Sequence, residues 1–439
     1  PLRALVGKAL GLAWSGLSMT LASNIALAPV SIWYFGVFPA NILLNLPWLP
    51  LQGLVVQILG MLGMALALVS PLEPLAGWLL HAAAWVQQGM LDALRQAAAL
   101  GWLPVWTLLR PLWPEMLGAA VVFCLVPAYW RRPHAAPWAL IVGGLLLMAV
   151  PHALMLRQDA RDEVRLSVLD VGQSQAVLVS LPGGARILVD GGGTLSRTFD
   201  LGRSVLGPVL TWGRPPRLDA VFLCHPDADH AQGLAYILRQ FRVGALYTNG
   251  QLPKGELGEE FGAALAARGL APEALVAGRS VSLGDDVQVE VFHPAATFAS
   301  RNSNENSLVL RLVWRGRPLA LLPGDVQRGG IEDMVDAGRD LRAEVLLLPH
   351  HGSKSSYSGM LYDGVAPGLA LVSCGPQNMY HFPNSAVVAE LERRGIPLAS
   401  TAESGMLNVV WPAPGAALVL QTPFITPSPT PFDMFLSTR

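Results

Sequence analysis

The sequence predicts an α-helical membrane region followed by an α+β domain in which two β-sheets are flanked by helices. Three observations predict it. Charged residues are only 14% of the 439-residue chain, against roughly 25% in a typical soluble protein. The deficit is concentrated at the front, where residues 1–156 carry charge only at Arg3, Lys8, Glu73, Asp92, Arg95, Arg110, Glu115, Arg131 and Arg132. Beyond residue 160 the pattern changes to short strands, and one of them ends in His225-Pro-Asp-Ala-Asp-His230. Two imidazoles and two carboxylates within six residues form a donor set suited to a divalent cation.

Residues 9–72 contain no Asp, Glu, Lys or Arg. A spanning helix needs roughly 20 apolar residues, so this run holds two, near 11–33 and 50–70. Pro39, Asn41, Asn45, Pro47 and Pro50 lie between them and suggest a broken or re-entrant join. Residues 74–110 mix Trp, Leu, Ala and Gln with a few charges and fit an amphipathic interfacial helix. Two more spans are expected near 114–130 and 136–156. The basic segment Trp130-Arg-Arg-Pro-His134 between them favours the cytoplasm. The domain after residue 157 is then expected on the outer face, against a pull from Arg157, Arg161 and Arg165. Asn24, Asn41, Asn45, Gln52 and Gln57 could line a pore or simply hydrogen-bond between helices.

Within 164–422, strands are expected at 164–171, 175–181, 186–190, 219–224, 286–292, 307–313, 317–322, 344–348, 368–373, 406–411 and 416–421. Helices are expected at 231–240, 257–269, 328–337 and 385–394. The tail 423–439 is rich in Pro, Ser and Thr and reads as disordered. Net charge is −1, so no global basic excess argues for nucleic acid. Three widely separated cysteines imply neither a disulfide framework nor a Cys-rich metal site. The chain opens at Pro1 within an apolar region, which points to further elements upstream in a longer parent.

Three groups of chemistry-bearing residues recur, each after an apolar strand: the 225–230 cluster, Asp325 in Leu321-Leu-Pro-Gly-Asp325, and His350-His351 in Leu346-Leu-Leu-Pro-His-His-Gly-Ser353. A Gly-Asp alone is usually a turn, and a His pair before Gly is usually a surface loop. Their joint occurrence in this order points to a metal site.

With Leu169-Asp-Val-Gly-Gln173, Leu188-Val-Asp-Gly-Gly192, Asn304-Glu-Asn-Ser-Leu-Val-Leu310 and Pro349-His-His-Gly-Ser-Lys354 added, the chain resembles the metallo-β-lactamase superfamily and, more closely, the C-terminal part of the ComEC family of bacterial competence proteins. The resemblance implies a four-layer αββα domain over 164–422 and the end of a polytopic channel region over 1–156. It implies that His225 and Asp227 ligate one divalent ion, that Asp229 and His230 ligate a second, and that Asp325 bridges them. One of His350 and His351 completes the second set, with His350 preferred as nearer the strand end. Asp190, and less directly Asp170, would orient a ligating histidine. Asp229, Asp325 and Lys354 are the expected catalytic groups. Asn304, Asn306, Ser353, Lys354 and Ser355 are expected to face substrate. A further ligand found in the superfamily is without an evident counterpart, His293 and Asn306 being the candidates. Ser174 and Gln175 replace the family's usual Gly-Asp. Asp227 in place of a histidine makes the site harder, so Mn²⁺ is expected beside Zn²⁺.

By the same resemblance the function is DNA uptake across the bacterial inner membrane. Single-stranded DNA, the bilayer, other competence proteins and the N-terminal part of the parent would be partners, and a two-metal nuclease would degrade the strand left outside. A strand groove should be locally basic, with Arg197, Arg203, Arg214, Arg217 and Lys354 as candidates. Two other readings compete: an inert metal-site domain that only guides DNA, and a membrane-tethered hydrolase of small esters or lactams.

Overall fold

The computed structural model describes residues 2–39, 44–103, 105–131, 138–194, 199–284 and 286–422. Asn41, residues 132–134 of the basic segment, Arg197 and the tail from 423 lie outside the described residues. The chain divides into two compact units, Pro1–Met148 and Ala149–Arg439.

The first unit is helical. Long helices run over Leu2–Phe35, Glu73–Ala99 and Trp113–Arg131, and the helix Trp138–Asp159 begins here. Among the described residues, three apolar segments are long enough to cross a membrane: Trp14–Phe35, Pro47–Ala67 and Trp138–Asp159. The expected span at 114–130 is shorter in its apolar part, Trp113–Val126. The proline-rich join is not simply broken helix. Val37–Pro39 pairs antiparallel with Val105–Thr107, and helix resumes at Asn45–Pro50 through a wider π-helical turn at Leu51–Val56. Many apolar side chains of this unit lack protein neighbours. Ile25, Leu54, Met61 and Leu146 are exposed, as expected of side chains whose solvent is lipid. Two contacts show how the helices approach. A Cβ at Gly63 would meet Leu80 at 2.8 Å, and one at Gly118 would meet the Gly144 carbonyl at 2.3 Å. Small residues permit that closeness.

The second unit contains two mixed sheets. The first has eight strands. In chain order these are β1 (Val164–Val168), β2 (Val177–Ser180), β3 (Arg186–Val189), β4 (Ala220–Leu223), β5 (Leu246–Thr248) and β6 (Pro272–Ala274), then β14 (Leu407–Trp411) and β15 (Val419–Gln421). Their spatial order is β6-β5-β4-β3-β2-β1-β14-β15. The second sheet runs in sequence order: β7 (Ser280–Leu283), β8 (Val287–His293), β9 (Val309–Trp314), β10 (Arg317–Leu322), β11 (Val345–Leu347), β12 (Leu369–Val372) and β13 (Leu398–Ser400). β3, β4, β5 and β6 are mutually parallel, as are β10 to β13.

The core lies in three apolar layers of side chains. Leu166, Val179, Ile187 and Phe222 face Val289, Leu310, Leu312 and Trp314 between the sheets. Leu188, Val221 and Leu223 pack outward on helices α1 (Ala228–Gln240) and α2 (Gly255–Arg268). Leu321, Leu346 and Val372 pack outward on α3 (Arg328–Asp336), α4 (Gly359–Val365) and α5 (Ser385–Arg394). Burying both faces explains why β3, β4, β11 and β12 read as unbroken apolar runs. This is the four-layer αββα arrangement the sequence predicts.

Candidate metal centre

β4 delivers the cluster. Leu223 and Cys224 are buried, the chain turns at His225-Pro226, and α1 starts with Asp227 in N-cap position. Asp229 and His230 therefore sit in the first turn of α1, one strand away from β3, which ends at Asp190. The junction is close. The Gly191 amide donates to the His230 carbonyl at 2.7 Å, and a Cβ at Gly233 would stand 2.1 Å from the Gly191 oxygen. Asp325 follows β10 and His350-His351 follow β11, so the ends of β4, β10 and β11 supply all three groups.

The structure brings these groups together. One donor atom each from Asp229, His230, Asp325 and His351 lies within 4.8 Å of the others. His230 Nε2 is 3.1 Å from Asp325 Oδ1, and His351 Nε2 is 3.8 Å from Asp325 Oδ2 and 3.9 Å from Asp229 Oδ2. His225 adjoins this group, its ring 4.1 Å from that of His230 and its Nε2 3.6 Å from Asp227 Oδ2. His225 Nε2, His230 Nε2, His351 Nε2 and Asp325 Oδ1 are buried without a hydrogen-bond partner. Buried polar atoms are ordinarily paired. Four such atoms gathered in one cluster, from imidazole and carboxylate, fit a divalent cation.

Each ring is turned to that point by a partner on its other nitrogen. His230 Nδ1 donates to Asp190 Oδ2 at 2.7 Å, and Asp190 also accepts from the Cys224 amide at 2.8 Å and from Gln175 Nε2 at 3.0 Å. His351 Nδ1 donates to the Ser373 carbonyl at 2.8 Å. A carbonyl only accepts, so Nδ1 carries a proton, and Nε2 is the nitrogen left to face a cation, with its lone pair available once that position is deprotonated. His225 Nδ1 lies 3.3 Å from Ser307 Oγ, which also accepts from the Asp325 amide at 3.2 Å.

Electrostatics follow from this crowding. Burial opposes charge on His230, but Asp325 and Asp190 outweigh it and hold its pKa well above the usual imidazole range. Burial likewise opposes charge on His351, and Asp325 and Asp229 overcome it, with a net rise. Burial alone would raise Asp325, yet His230 and His351 hold it well below the ordinary carboxylate range. His225 is lowered, by burial first and by His230 second.

Several expectations are corrected by the geometry. The preference for His350 gives way to His351. His350 Nε2 is 3.7 Å from Asp325 but also 3.4 Å from Asn304 Nδ2, and its Nδ1 is near Gln327 and Ser355. Asp170 does not orient a ligand. It is exposed at the end of β1 and accepts only a long 3.4 Å contact from the Gly172 amide. His293 faces α3, with Nε2 donating to the Glu305 carbonyl and Nδ1 3.3 Å from Asp333. Asn306 is spent on its own loop, donating to Ser300 and Asn302 carbonyls. Lys354 is exposed, whereas Ser353 caps the turn that follows it. Among the described residues, two of the groove candidates are engaged by acids: Arg214 pairs with Asp159 and Arg217 with Asp219. Reading from sequence missed Ser307, Ser373 and the use of Gln175. The substitution at Gln175 supports Asp190, a role an acid could fill only if protonated.

Residues 2–133 match the family model of the competence protein, and residues 169–363 match that of the metallo-β-lactamase superfamily. The chain joins a competence domain to a metallo-β-lactamase domain. It is 31% identical over 287 residues to ComE operon protein 3 of Bacillus subtilis, covering 61% of this chain and 36% of that protein. It is 30% identical over 376 residues to competence protein ComA of Neisseria gonorrhoeae, covering 80% and 49%. Recombination protein 2 of Haemophilus influenzae is 30% identical over 267 residues, covering 61% and 31%. These matches are consistent with the ComEC family. The chain spans between about a third and a half of the length of these curated relatives. The metal-ligand candidates all fall within the metallo-β-lactamase domain.

Proposed function

We propose that the metallo-β-lactamase domain is a metal-dependent phosphodiesterase acting on DNA, and that the chain serves DNA uptake in natural transformation. The observation that carries this reading is the gathering of four buried, unpartnered donor atoms in one cluster. His225, Asp227 and Asp325 would hold one ion, and Asp229, His230, Asp325 and His351 the other. Bound there, two Zn²⁺ or Mn²⁺ ions would supply an activated hydroxide and neutralise charge developing on a phosphodiester. The chain's own residues do the rest. Asp190 and the Ser373 carbonyl fix the His230 and His351 tautomers. Ser307 ties the His225 ring to the Asp325 backbone, and Ser303 Oγ donates to Asp227 Oδ2 at 2.8 Å. Asn304 Nδ2 lies 3.4 Å from His350 Nε2.

The competence homologues support the wider role. In it, the membrane unit of a bacterial inner-membrane protein passes single-stranded DNA, working with the remainder of the parent protein and other competence components. The metallo-β-lactamase domain, on the outer face, degrades the strand that stays outside. An inert domain is disfavoured because Gln175, a departure that suggested it, donates to Asp190, which in turn holds the His230 ring.

The test uses the full chain purified in detergent. Cleavage of bis(p-nitrophenyl) phosphate and of single-stranded DNA, dependent on added Zn²⁺ or Mn²⁺ and abolished by Asp325→Ala, is the expected result. Strong cleavage by the Asp325→Ala protein, or hydrolysis of lactams in preference to phosphodiesters, would overturn the proposal.

A further inference from the structure

A cavity of about 1040 Å³ opens onto Asp229, His350 and His351, and its rim is aromatic rather than basic. Phe199, Met379, Tyr380 and Phe382 line it, and among the described residues no Lys or Arg does. The three rings nearest the cluster are arranged as a ladder. Tyr380 stacks on Phe382 with centroids 5.5 Å apart and planes inclined by 19°. Phe382 lies nearly parallel to the His351 ring, 14° at 6.4 Å, and edge-on to His350 at 6.0 Å. Tyr380 lines the cavity and is 51% exposed, so the outermost rung is open to solvent.

The ladder is held rigidly to the metal-ligand loop. Asn378 donates from Nδ2 to the Gly375 carbonyl at 3.0 Å and the Phe382 carbonyl at 2.7 Å, and its Oδ1 accepts from the Phe382 amide at 2.8 Å. This closes a tight loop in which Gln377 and His381 take left-handed backbone, φ 49° and 54°. Such backbone is unfavourable for residues other than glycine and persists where surrounding contacts enforce it. The Asn384 amide donates to the Gly352 carbonyl at 2.9 Å. Gly352 leaves no room for a side chain, since a Cβ there would be 2.7 Å from Pro383 Cβ. Tyr380 and Phe382 therefore keep a fixed distance from His351.

We infer that Tyr380 and Phe382 form a stacking ledge that receives one unpaired base of a nucleic-acid strand and so sets its neighbouring phosphodiester against the metal-ligand cluster. The inference rests on the phosphodiesterase reading of that cluster and adds how the strand is held there: by one splayed base lying on the ledge. A duplex keeps its base faces covered by neighbouring pairs, and only a splayed base can lie on an exposed ring. Stacking on the ledge is tolerant of sequence, because every base has a π-face. Tyr380 and Phe382 are positioning residues. They touch the base and not the reacting phosphorus.

The test is binding, read without metal. Full-length protein in detergent and EDTA is titrated with a short single-stranded oligonucleotide carrying 2-aminopurine, with an end-labelled strand of the same length that is abasic throughout, and with the probe inside a hairpin stem. Wild type and Tyr380→Phe should quench 2-aminopurine. Tyr380→Leu should lose the quench and bind about tenfold more weakly, the scale of one lost stacking contact. The abasic strand should bind wild type as weakly as the intact strand binds Tyr380→Leu, and the hairpin stem should show no quench. Equal binding of intact and abasic strands to wild type would overturn the inference, and that comparison needs no variant that could misfold. An unchanged quench in Tyr380→Leu would overturn it too. Hydrolysis of bis(p-nitrophenyl) phosphate, which has no base to stack, reports separately on the phosphodiesterase. Stacking without hydrolysis would remove the enzyme and leave the ledge, while hydrolysis without stacking would remove the ledge alone.

Discussion

His350 and His351 are neighbours in sequence, yet only one ring is oriented for a cation. His351 is buried and pinned through Nδ1 to Ser373, while His350 is partly exposed and shared among Asn304, Gln327 and Ser355. His351→Ala should strip one metal equivalent and most phosphodiesterase activity, and His350→Ala should retain the metal. Dialysed protein assayed for bound Zn²⁺ separates the two. Asp190 works at one remove. Replacing it with Asn should cost about 10–100-fold in metal affinity, the usual penalty for losing an outer partner of a ligating histidine. Protonation provides a further check. Asp325, with Asp190 or Asp229, raises the pKa of His230 and His351 in the metal-free protein, so each holds a proton to higher pH than a free imidazole, and a cation must displace it. Affinity should therefore rise as pH climbs through those raised values and level off above them. Calorimetry near pH 7 in buffers of different ionisation enthalpy should show proton release on binding; buffer-independent heats would contradict it. The residue types of the cluster were plain in sequence because the 225–230 spacing is so dense. The choice within the histidine pair was not, because it depends on a carbonyl at Ser373 contributed by another strand. Ser307 escaped notice for a similar reason: a serine before a strand carries no chemical signature until its neighbours across the fold are known.

At the scale of elements, strands were legible where both faces are buried. β3, β4, β10, β11 and β12 are apolar runs bounded by Gly, Pro or Asp, and all lie where sequence places them. The strands missed, β5, β6, β7 and β13, are three or four residues long, and each lies at or next to a sheet edge. Partners rather than pattern define such strands. The proline-rich join from Pro39 to Pro50 reads as a broken or re-entrant segment. Its pairing with Val105–Thr107 could not be read, since a three-residue ladder across a long gap leaves no periodicity. Close approach marks the elements that position the site. Gly233→Ala forces a methyl group against the Gly191 carbonyl, where β3 leaves room for α1. It should destabilise the domain by about 1–3 kcal/mol, measured as a loss of denaturation midpoint, and should weaken metal binding with it because α1 carries Asp229 and His230.

For the whole molecule, the division of charge in the sequence maps onto the two units of the structure. Among the described residues, three helices are long and apolar enough to cross a membrane, and the metal-ligand candidates are confined to the second unit. The proposed placement of that unit on the outer face makes a prediction: protease added to intact spheroplasts should remove the metallo-β-lactamase domain without lysis. Protection until lysis would place it in the cytoplasm and exclude degradation of the external strand. Sidedness was the least secure inference from sequence, because Arg131 and Arg132 are opposed by Arg157, Arg161 and Arg165. The measurement that bears most directly on the account is the metal content of the purified full-length protein. Converging orphan donors at His225, His230, His351 and Asp325 predict about two divalent ions per chain, as in two-metal hydrolases, and little metal retained in Asp325→Ala. A wild-type protein that binds no Zn²⁺ or Mn²⁺ at micromolar concentration, or an Asp325→Ala protein that binds as much as wild type, would contradict it.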